Sequence, residues 1–244
     1  MSSASRREVI RKGGLSAIGA IWALNAQSVL AKAGTVVNVP SGPMRLRREI
    51  TRELIDGNRL TVARVWNVRF LSAANGWRVE GTQRDVEVKA PAGLESLAAL
   101  ERSRQTEESF PLELDSHGMI MAGPVVSRQI ALDQLGQAAH SAIDSLGGAA
   151  VRHNELRAFL AQLQQASLSM MTRWPQDLFF PAGSESSEKK AMDLPGGVSG
   201  RMEIIYRAEA DLTNGLLKSS ERTVVTRIEN EELRSSEVWK LTAA

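Results

Sequence analysis

Apolar and polar residues alternate over two long stretches of the sequence, residues 44–88 and residues 202–241. Successive side chains of a β-strand point to opposite faces of the sheet, so a period of two is typical of strands with one buried face. Turn signals such as Asn75-Gly76 divide these stretches into hairpins. We therefore predict a curved antiparallel sheet built from N-terminal and C-terminal strands. A change of parity in the third strand predicts a β-bulge near Gly81.

The residues between these two stretches show a helical period instead. Apolar side chains recur every three or four positions on both sides of Gly147-Gly148. This spacing predicts two antiparallel helices within residues 127–172, and the Gly-, Pro- and Ser-rich composition of residues 181–200 predicts a mobile loop. The predicted fold class is α+β, in which the sheet packs against an inserted helical hairpin. We assign residues 34–244 to one such domain.

Residues 1–33 have the features of an export signal. Arg6 and Arg7 stand in a polar start, a moderately apolar stretch follows, and Ala31 and Ala33 provide a small-x-small cleavage site. This arrangement resembles a bacterial twin-arginine signal peptide. The resemblance implies recognition by the twin-arginine export machinery, cleavage near Ala33, and a mature protein in the periplasm.

The apolar stretch of this segment is less suited to a membrane anchor. A helix that spans a bilayer needs about 20 strongly apolar residues, whereas polar residues such as Asn25 and Gln27 interrupt the stretch here. An uncleaved anchor is the alternative interpretation. The interruptions favour a cleaved signal, and we expect no permanent membrane anchor.

The charge balance gives no indication of nucleic-acid binding. Residues 1–33 contain five basic residues and one acidic residue, a balance of +4, so the whole-chain charge of +2 leaves the remainder at −2. One basic run, Arg45 to Arg48 with Arg52, is interleaved with apolar residues in a strand-like alternation. We interpret this run as a solvated strand face, and a patch that binds an anionic ligand is the alternative.

The chain contains no cysteine and only three histidines, His117, His140 and His153. Without cysteine the protein has no disulfide bond, no thiolate metal site and no thiol nucleophile. His140 and His153 flank the predicted helical turn, at a separation that disfavours a shared metal ion. We therefore expect neither a metal site nor a cofactor.

Asp115, Ser116 and His117 are the three residue types of a serine-hydrolase triad. Adjacent residues in a tight loop cannot align a nucleophile, a base and a carboxylate. Followed by Gly118, these residue types are typical of a hairpin turn. We assign no catalytic residue, and a hydrolase whose site is assembled from distant residues stays open as an alternative.

Aromatic residues are concentrated in the segment from Trp174 to Pro181, although they make up only 5% of the chain. Its apolar side chains are the candidate ligand-binding residues: Trp174, Leu178, Phe179 and Phe180. One interpretation is a plug that covers one end of the sheet's core. The other is a lid over an apolar cavity, in which the curved sheet would hold a greasy ligand.

The predicted element order, an exported curved sheet around a helical segment, is similar to that of the periplasmic half-barrel lipoprotein carriers. The similarity covers residues 44–242 and includes no matched residue motif. It implies a non-enzymatic periplasmic protein that binds a lipid or another apolar ligand, or a partner's apolar segment. The alternative is a structural or assembly factor of the cell envelope that has a filled core and acts through its outer surface.

Overall fold

Long strands give the protein a single large sheet. The computed structural model describes residues 37–54, 57–103, 109–122, 125–126, 158, 173–193 and 197–244. In chain order the strands are β1 (Met44–Glu53), β2 (Arg59–Ala73), β3 (Gly76–Lys89), β4 (Leu112–Asp115), β5 (Ile120–Ala122), β6 (Val125–Val126), β7 (Trp174–Pro175), β8 (Glu185–Asp193), β9 (Ser199–Ala210), β10 (Leu217–Ile228) and β11 (Glu231–Ala243). The helix α1 (Glu95–Ser103) lies between β3 and β4.

Nine strands form an antiparallel sheet that curls into a half-barrel, in the order β5-β4-β3-β2-β1-β11-β10-β9-β8. The strands β6 and β7 form a separate parallel pair of two residues each. At the centre of the sheet, β1 pairs with β2 on one side and with β11 on the other, so Leu46 lies opposite both Trp66 and Leu241. The prediction that N-terminal and C-terminal strands share one antiparallel sheet is confirmed.

The predicted α+β class is wrong, because the protein is nearly all sheet and no helical hairpin packs against the half-barrel in the part of the chain that the structure describes. Apart from Ala158, the predicted helical insertion at 127–172 lies outside the described residues. Among the described residues, the element that covers the sheet's core is the irregular aromatic segment that begins at Trp174.

The range predicted as a mobile loop, residues 181–200, contains a strand instead: β8 lies within it and pairs with β9. The strand is at the edge of the nine-stranded sheet. Its side chains alternate between exposed and half-buried positions, and only Met192 is buried. An edge strand needs little apolar surface, which explains why its polar composition resembled that of a loop.

The β-bulge lies three residues beyond its predicted position. In the β2–β3 pair Val65 faces Asp85 and Trp66 faces Gln83, so Arg84 is the extra residue. Gly81 has another role: a Cβ atom at this position would lie 2.6 Å from the ring of Phe110. The missing side chain makes room for that ring against β3.

One face of the sheet, which we call the inner face, carries the main core. Leu46, Trp66 and Trp239 point from it into a cluster that also contains Trp174 and Phe179. The opposite, outer face carries many charged residues in ion pairs across or along strands, such as Arg207 with Glu185 and Arg78 with Glu113. These exposed pairs contribute little stability, and the inner face therefore holds the fold together.

Candidate functional site

Four aromatic side chains meet on the inner face, and we call them the aromatic cluster: Phe110, Trp66, Trp174 and Trp239. The ring of Trp174 lies 4.9 Å from that of Trp239, 5.1 Å from that of Phe110 and 5.9 Å from that of Trp66, between ring centroids. Trp66 and Trp239 stack at 6.4 Å. These separations fall within the range in which aromatic pairs attract each other beyond their buried area.

The sheet register explains why two of these rings meet. Trp66 lies opposite Leu46 of β1, and Trp239 lies opposite Arg48 of the same strand, two residues further on. Alternate residues of one strand share a face, so both indoles project from the inner face on either side of β1. Trp174 reaches them from outside the nine-stranded sheet, since β7 pairs only with β6 among the described strands.

The four predicted ligand-binding residues all belong to the segment 174–181, which we call the cover segment. Trp174, Leu178 and Phe179 are at most 1% exposed and Phe180 is 6% exposed. The structure brings all four together in the core under the inner face. They fill this space with the protein's own side chains, as the plug interpretation expects, and contact with a ligand stays a prediction.

The cover segment is attached to the sheet by a few backbone hydrogen bonds. The Leu217 N–H donates to the Phe179 carbonyl at 2.8 Å, and the Ile120 N–H donates to the Gln176 carbonyl at 2.8 Å. The Asp177 carboxylate accepts a hydrogen bond from the Ala182 N–H at 3.0 Å, which holds the end of the segment in a turn. Four side chains of the cover segment also pack in the core under the inner face.

Next to the aromatic cluster the inner face carries buried charges, which sequence analysis did not identify as a site. The Glu237 side chain is completely buried between two arginines. Arg48 Nε donates to Glu237 Oε1 at 2.7 Å, and Arg222 Nη2 donates to Glu237 Oε2 at 2.5 Å. Each carboxylate oxygen thus binds one guanidinium, which is the arrangement that a buried carboxylate requires.

A third arginine, Arg64, extends this row towards α1. Its Nη2 donates to the Glu101 carbonyl at 2.8 Å and to the Glu101 carboxylate at 3.1 Å. Arg64 lies opposite Arg48 in the β1–β2 pair. We call Arg48, Arg64 and Arg222 the arginine row.

The interpretation of the basic run as a solvated strand face is therefore only partly correct. Arg45 is exposed and the Arg47 side chain is 37% exposed, whereas that of Arg48 is 12% exposed and lies on the inner face. The signal was available in the sequence: Arg48 has the same parity as Leu46 and Ile50. A charged residue at a core-facing position of a strand points to a buried ionic site.

Burial changes the pKa of one member of the arginine row, Arg48. Desolvation lowers the pKa of Arg48 below its ordinary value, Glu237 opposes this effect, and Arg222 and Arg64 add to the lowering through charge repulsion. Arginine keeps its proton at neutral pH even so. The inner face therefore carries three buried positive charges next to the aromatic cluster.

Two buried hydrogen-bond donors lie in the same region. The indole N–H groups of Trp66 and Trp239 have no hydrogen-bond partner within the described ranges, and both residues are 1% exposed. Leaving a buried donor without a partner costs about 1–3 kcal/mol. Indole nitrogens donate only, so an acceptor atom is what would satisfy them.

The Asp115-Ser116-His117 sequence forms the hairpin turn between β4 and β5, as predicted. Asp115 Oδ1 accepts hydrogen bonds from the His117 and Met119 backbone N–H groups at 2.8 and 2.9 Å. The Asp115 carboxylate thus holds the turn and does not orient the imidazole. No group of three His, Asp or Glu side chains suited to a metal ion occurs among the described residues, and His140 and His153 lie outside them.

The predicted signal residues Arg6, Arg7, Ala31 and Ala33 also lie outside the described residues. Within the described ranges, the structure contains no helix of sufficient length and apolarity to cross a membrane. Comparison with known protein families finds no match to this sequence, and comparison with curated proteins finds none either. The curled antiparallel half-barrel is compatible with a binding protein, and the geometry of its inner face is the basis for inferring what it binds.

Proposed function

We propose that this protein is exported to the periplasm and binds an apolar ligand, such as a lipid, between the inner face of the half-barrel and the cover segment. Export rests on the twin-arginine-like sequence around Arg6 and Arg7 and on the cleavage site at Ala31 to Ala33. The protein acts in this proposal as a binding protein without catalytic activity. The ligand-contacting residues are those of the cover segment together with the aromatic cluster.

One observation carries the proposal: the inner face is covered by a segment that is not part of the nine-stranded sheet. Trp174 and Phe179 are buried mainly through contacts between side chains, which a ligand can replace with contacts of the same kind. An acyl chain in their place would bury the same apolar part of the inner face. Burial of apolar surface stabilises by about 25 cal/mol per Å². The remainder of the sheet would keep its ladder of hydrogen bonds.

The proposal is tested on protein purified from the periplasm. Native mass spectrometry and solvent extraction should detect a bound apolar molecule, and an apolar fluorescent probe should bind the protein after extraction. Exposed apolar side chains elsewhere on the protein would bind some probe without specificity. Leu212→Ala is the control for this background, because the Leu212 side chain is fully exposed. Failure to recover a ligand together with absence of probe binding would reject the carrier function.

A second function has its own supporting observation, which is the completeness of packing on the inner face. Leu46, Trp66 and Phe179 are each at most 1% exposed, which suits a protein with a filled core that acts through its outer surface. Such a structural or assembly factor of the envelope would bind no apolar probe. Crosslinking in intact cells would instead recover one specific envelope protein, and recovery of none would count against this function.

A further inference from the structure

The buried charges of the inner face are unexpected in a protein that binds a purely apolar molecule. Replacing a buried ion pair with apolar residues is often neutral or stabilising, so a stable fold does not by itself require the arginine row. The row has three guanidiniums, and their described carboxylate partners are Glu237 and Glu101. Glu237 is fully buried between Arg48 and Arg222, and the Glu101 side chain is 20% exposed.

The arginine row and the aromatic cluster form one continuous surface. The Arg48 guanidinium carbon lies 4.8 Å from the centroid of the Trp239 ring. Trp239 in turn contacts Trp66 and Trp174. One end of the inner face is therefore cationic and the adjoining part is apolar, which matches a molecule with an anionic head and a hydrocarbon chain.

The two unpartnered indole donors belong to residues on either side of β1, the strand that carries Arg48. Trp239 is directly opposite Arg48 across the β1–β11 pair, and Trp66 is on the other side of β1. A hydrocarbon would leave both indole N–H groups without an acceptor. Oxygen atoms at the head of an amphiphile would provide one.

Arg222 connects the arginine row to the cover segment. Its Nη2 atom donates to the Arg173 carbonyl at 3.2 Å, and Arg173 immediately precedes the cover segment. The same guanidinium also binds Glu237. An anionic head that reaches Arg222 would take the place of the Arg173 carbonyl, because a charged acceptor forms the stronger hydrogen bond.

We propose that the ligand is an amphiphile with an anionic head group and a hydrocarbon part, and that the head binds the arginine row while the hydrocarbon part displaces the cover segment from the aromatic cluster. This inference rests on the proposed function and specifies its ligand class. The head group is a carboxylate or a phosphate, since both are anionic oxygen acceptors of a guanidinium.

The test compares ligands that differ only in the head. Tetradecanoate, tetradecyl phosphate, tetradecanol and tetradecyltrimethylammonium are titrated below their critical micelle concentrations into solvent-extracted wild-type protein, and binding is followed by tryptophan fluorescence and native mass spectrometry. An ionic hydrogen bond is strong enough for a preference of about tenfold to a hundredfold for an anion over the alcohol. Whichever anion binds more tightly identifies the head.

The outcomes separate this inference from the proposed function. Equal affinity for tetradecanoate, tetradecyl phosphate and tetradecanol would overturn the anionic head and leave the apolar-ligand function in place. Binding of none of the four would overturn both. Tighter binding of the ammonium compound would also overturn the role of the arginine row.

A triple variant, Arg48→Gln, Arg222→Gln and Glu237→Gln, removes two of the three guanidiniums of the arginine row together with the carboxylate that they share, and keeps amide groups that can bond to one another. Its preference for an anion over tetradecanol should fall to within about threefold, while tetradecanol affinity is retained. Arg207→Gln, on the exposed outer face, is the control and should keep the full preference. An unchanged preference in the triple variant overturns the inference; should this variant not fold, the wild-type ligand series decides alone.

Discussion

Arg222 and Glu237 face each other directly across β10 and β11, and their side chains meet at 2.5 Å on the inner face. Glu237 also binds Arg48 from the next strand. One carboxylate therefore joins three neighbouring strands, β1, β11 and β10, at the centre of the sheet.

Glu237→Ala should strongly destabilise the protein. The substitution leaves Arg48 and Arg222 buried without their shared counter-charge, which typically costs about 3–5 kcal/mol. Chemical denaturation monitored by circular dichroism measures the change in unfolding free energy. Glu185→Ala is the control, because its ion pair with Arg207 is exposed on both sides and should contribute less than about 1 kcal/mol. Equal losses in the two variants would contradict the assigned role of Glu237.

Gly118→Ala should destabilise the protein more than Gly57→Ala. Both glycines have a φ angle of 79°, so both substitutions carry the same backbone strain. At Gly118 the added Cβ would overlap the ring of Phe180, whereas at Gly57 nothing lies within 4 Å. The overlap should add about 1–3 kcal/mol to the loss of unfolding free energy. A difference below about 0.5 kcal/mol between the two variants would show that Phe180 can move away without cost.

Trp174→Ala should increase the binding of an apolar probe. The substitution removes the ring that fills the space between Trp66, Trp239 and Phe110, and engineered apolar cavities bind small apolar molecules. It should also lower the unfolding free energy by about 3–5 kcal/mol. Probe titration and denaturation measure the two effects, with Leu212→Ala as the exposed control. Unchanged probe affinity would place the ligand elsewhere.

Lysine at both Arg6 and Arg7 should block export. Lysine keeps the positive charge but lacks the planar guanidinium. It therefore does not replace arginine at a site that recognises the guanidinium geometry. Fractionation should then show the precursor retained in the cytoplasm, while Arg11→Lys should leave export unchanged. Normal periplasmic levels of the doubly substituted protein would mean that the twin-arginine machinery does not transport it.

Glu232→Gln should reduce stability at neutral pH but not in acid. Its hydrogen bond with Arg227 is the main cause that lowers the pKa of Glu232 below its ordinary value, and Arg234 adds to it. A lowered pKa in the folded state contributes stability above the unfolded-state value, about 4.3, and this contribution is lost as the pH falls through the folded-state value. Because Glu232 is partly exposed, the difference at pH 7 should be below about 1 kcal/mol. The difference between the two proteins should shrink as the pH falls below the unfolded-state value of about 4.3; a constant difference would contradict this cause.

Local patterns predicted the hairpins better than the elements that pack on them. The alternation and turn signals were sufficient for the antiparallel strands around Asn75-Gly76 and for the Asp115 hairpin, because sequence-neighbouring strands determine both. The strand β8 was missed because an edge strand buries only Met192. The predicted α+β class was wrong because a helical period in residues 127–172 does not indicate which segment of the chain covers the inner face of the sheet.

The candidate site was predictable to a similar extent. Aromatic content identified the cover segment, and its burial followed from hydrophobicity. The ionic part was not found, since Arg48, Arg222 and Glu237 are far apart in sequence and only the β10–β11–β1 pairing joins them. The core-facing parity of Arg48 was the one local signal.

The central position of β1 also has a consequence for how the protein acquires its structure. Arg48 and Glu237 are 189 positions apart along the chain. The strand β1 therefore gains its second neighbouring strand only when β11 has been synthesised and has paired with it. A ribosome that has released only the first half of the polypeptide exposes β1 as an unprotected edge. Pairing between strands so far apart in sequence slows folding, and until β11 pairs with β1 that edge is open to another chain.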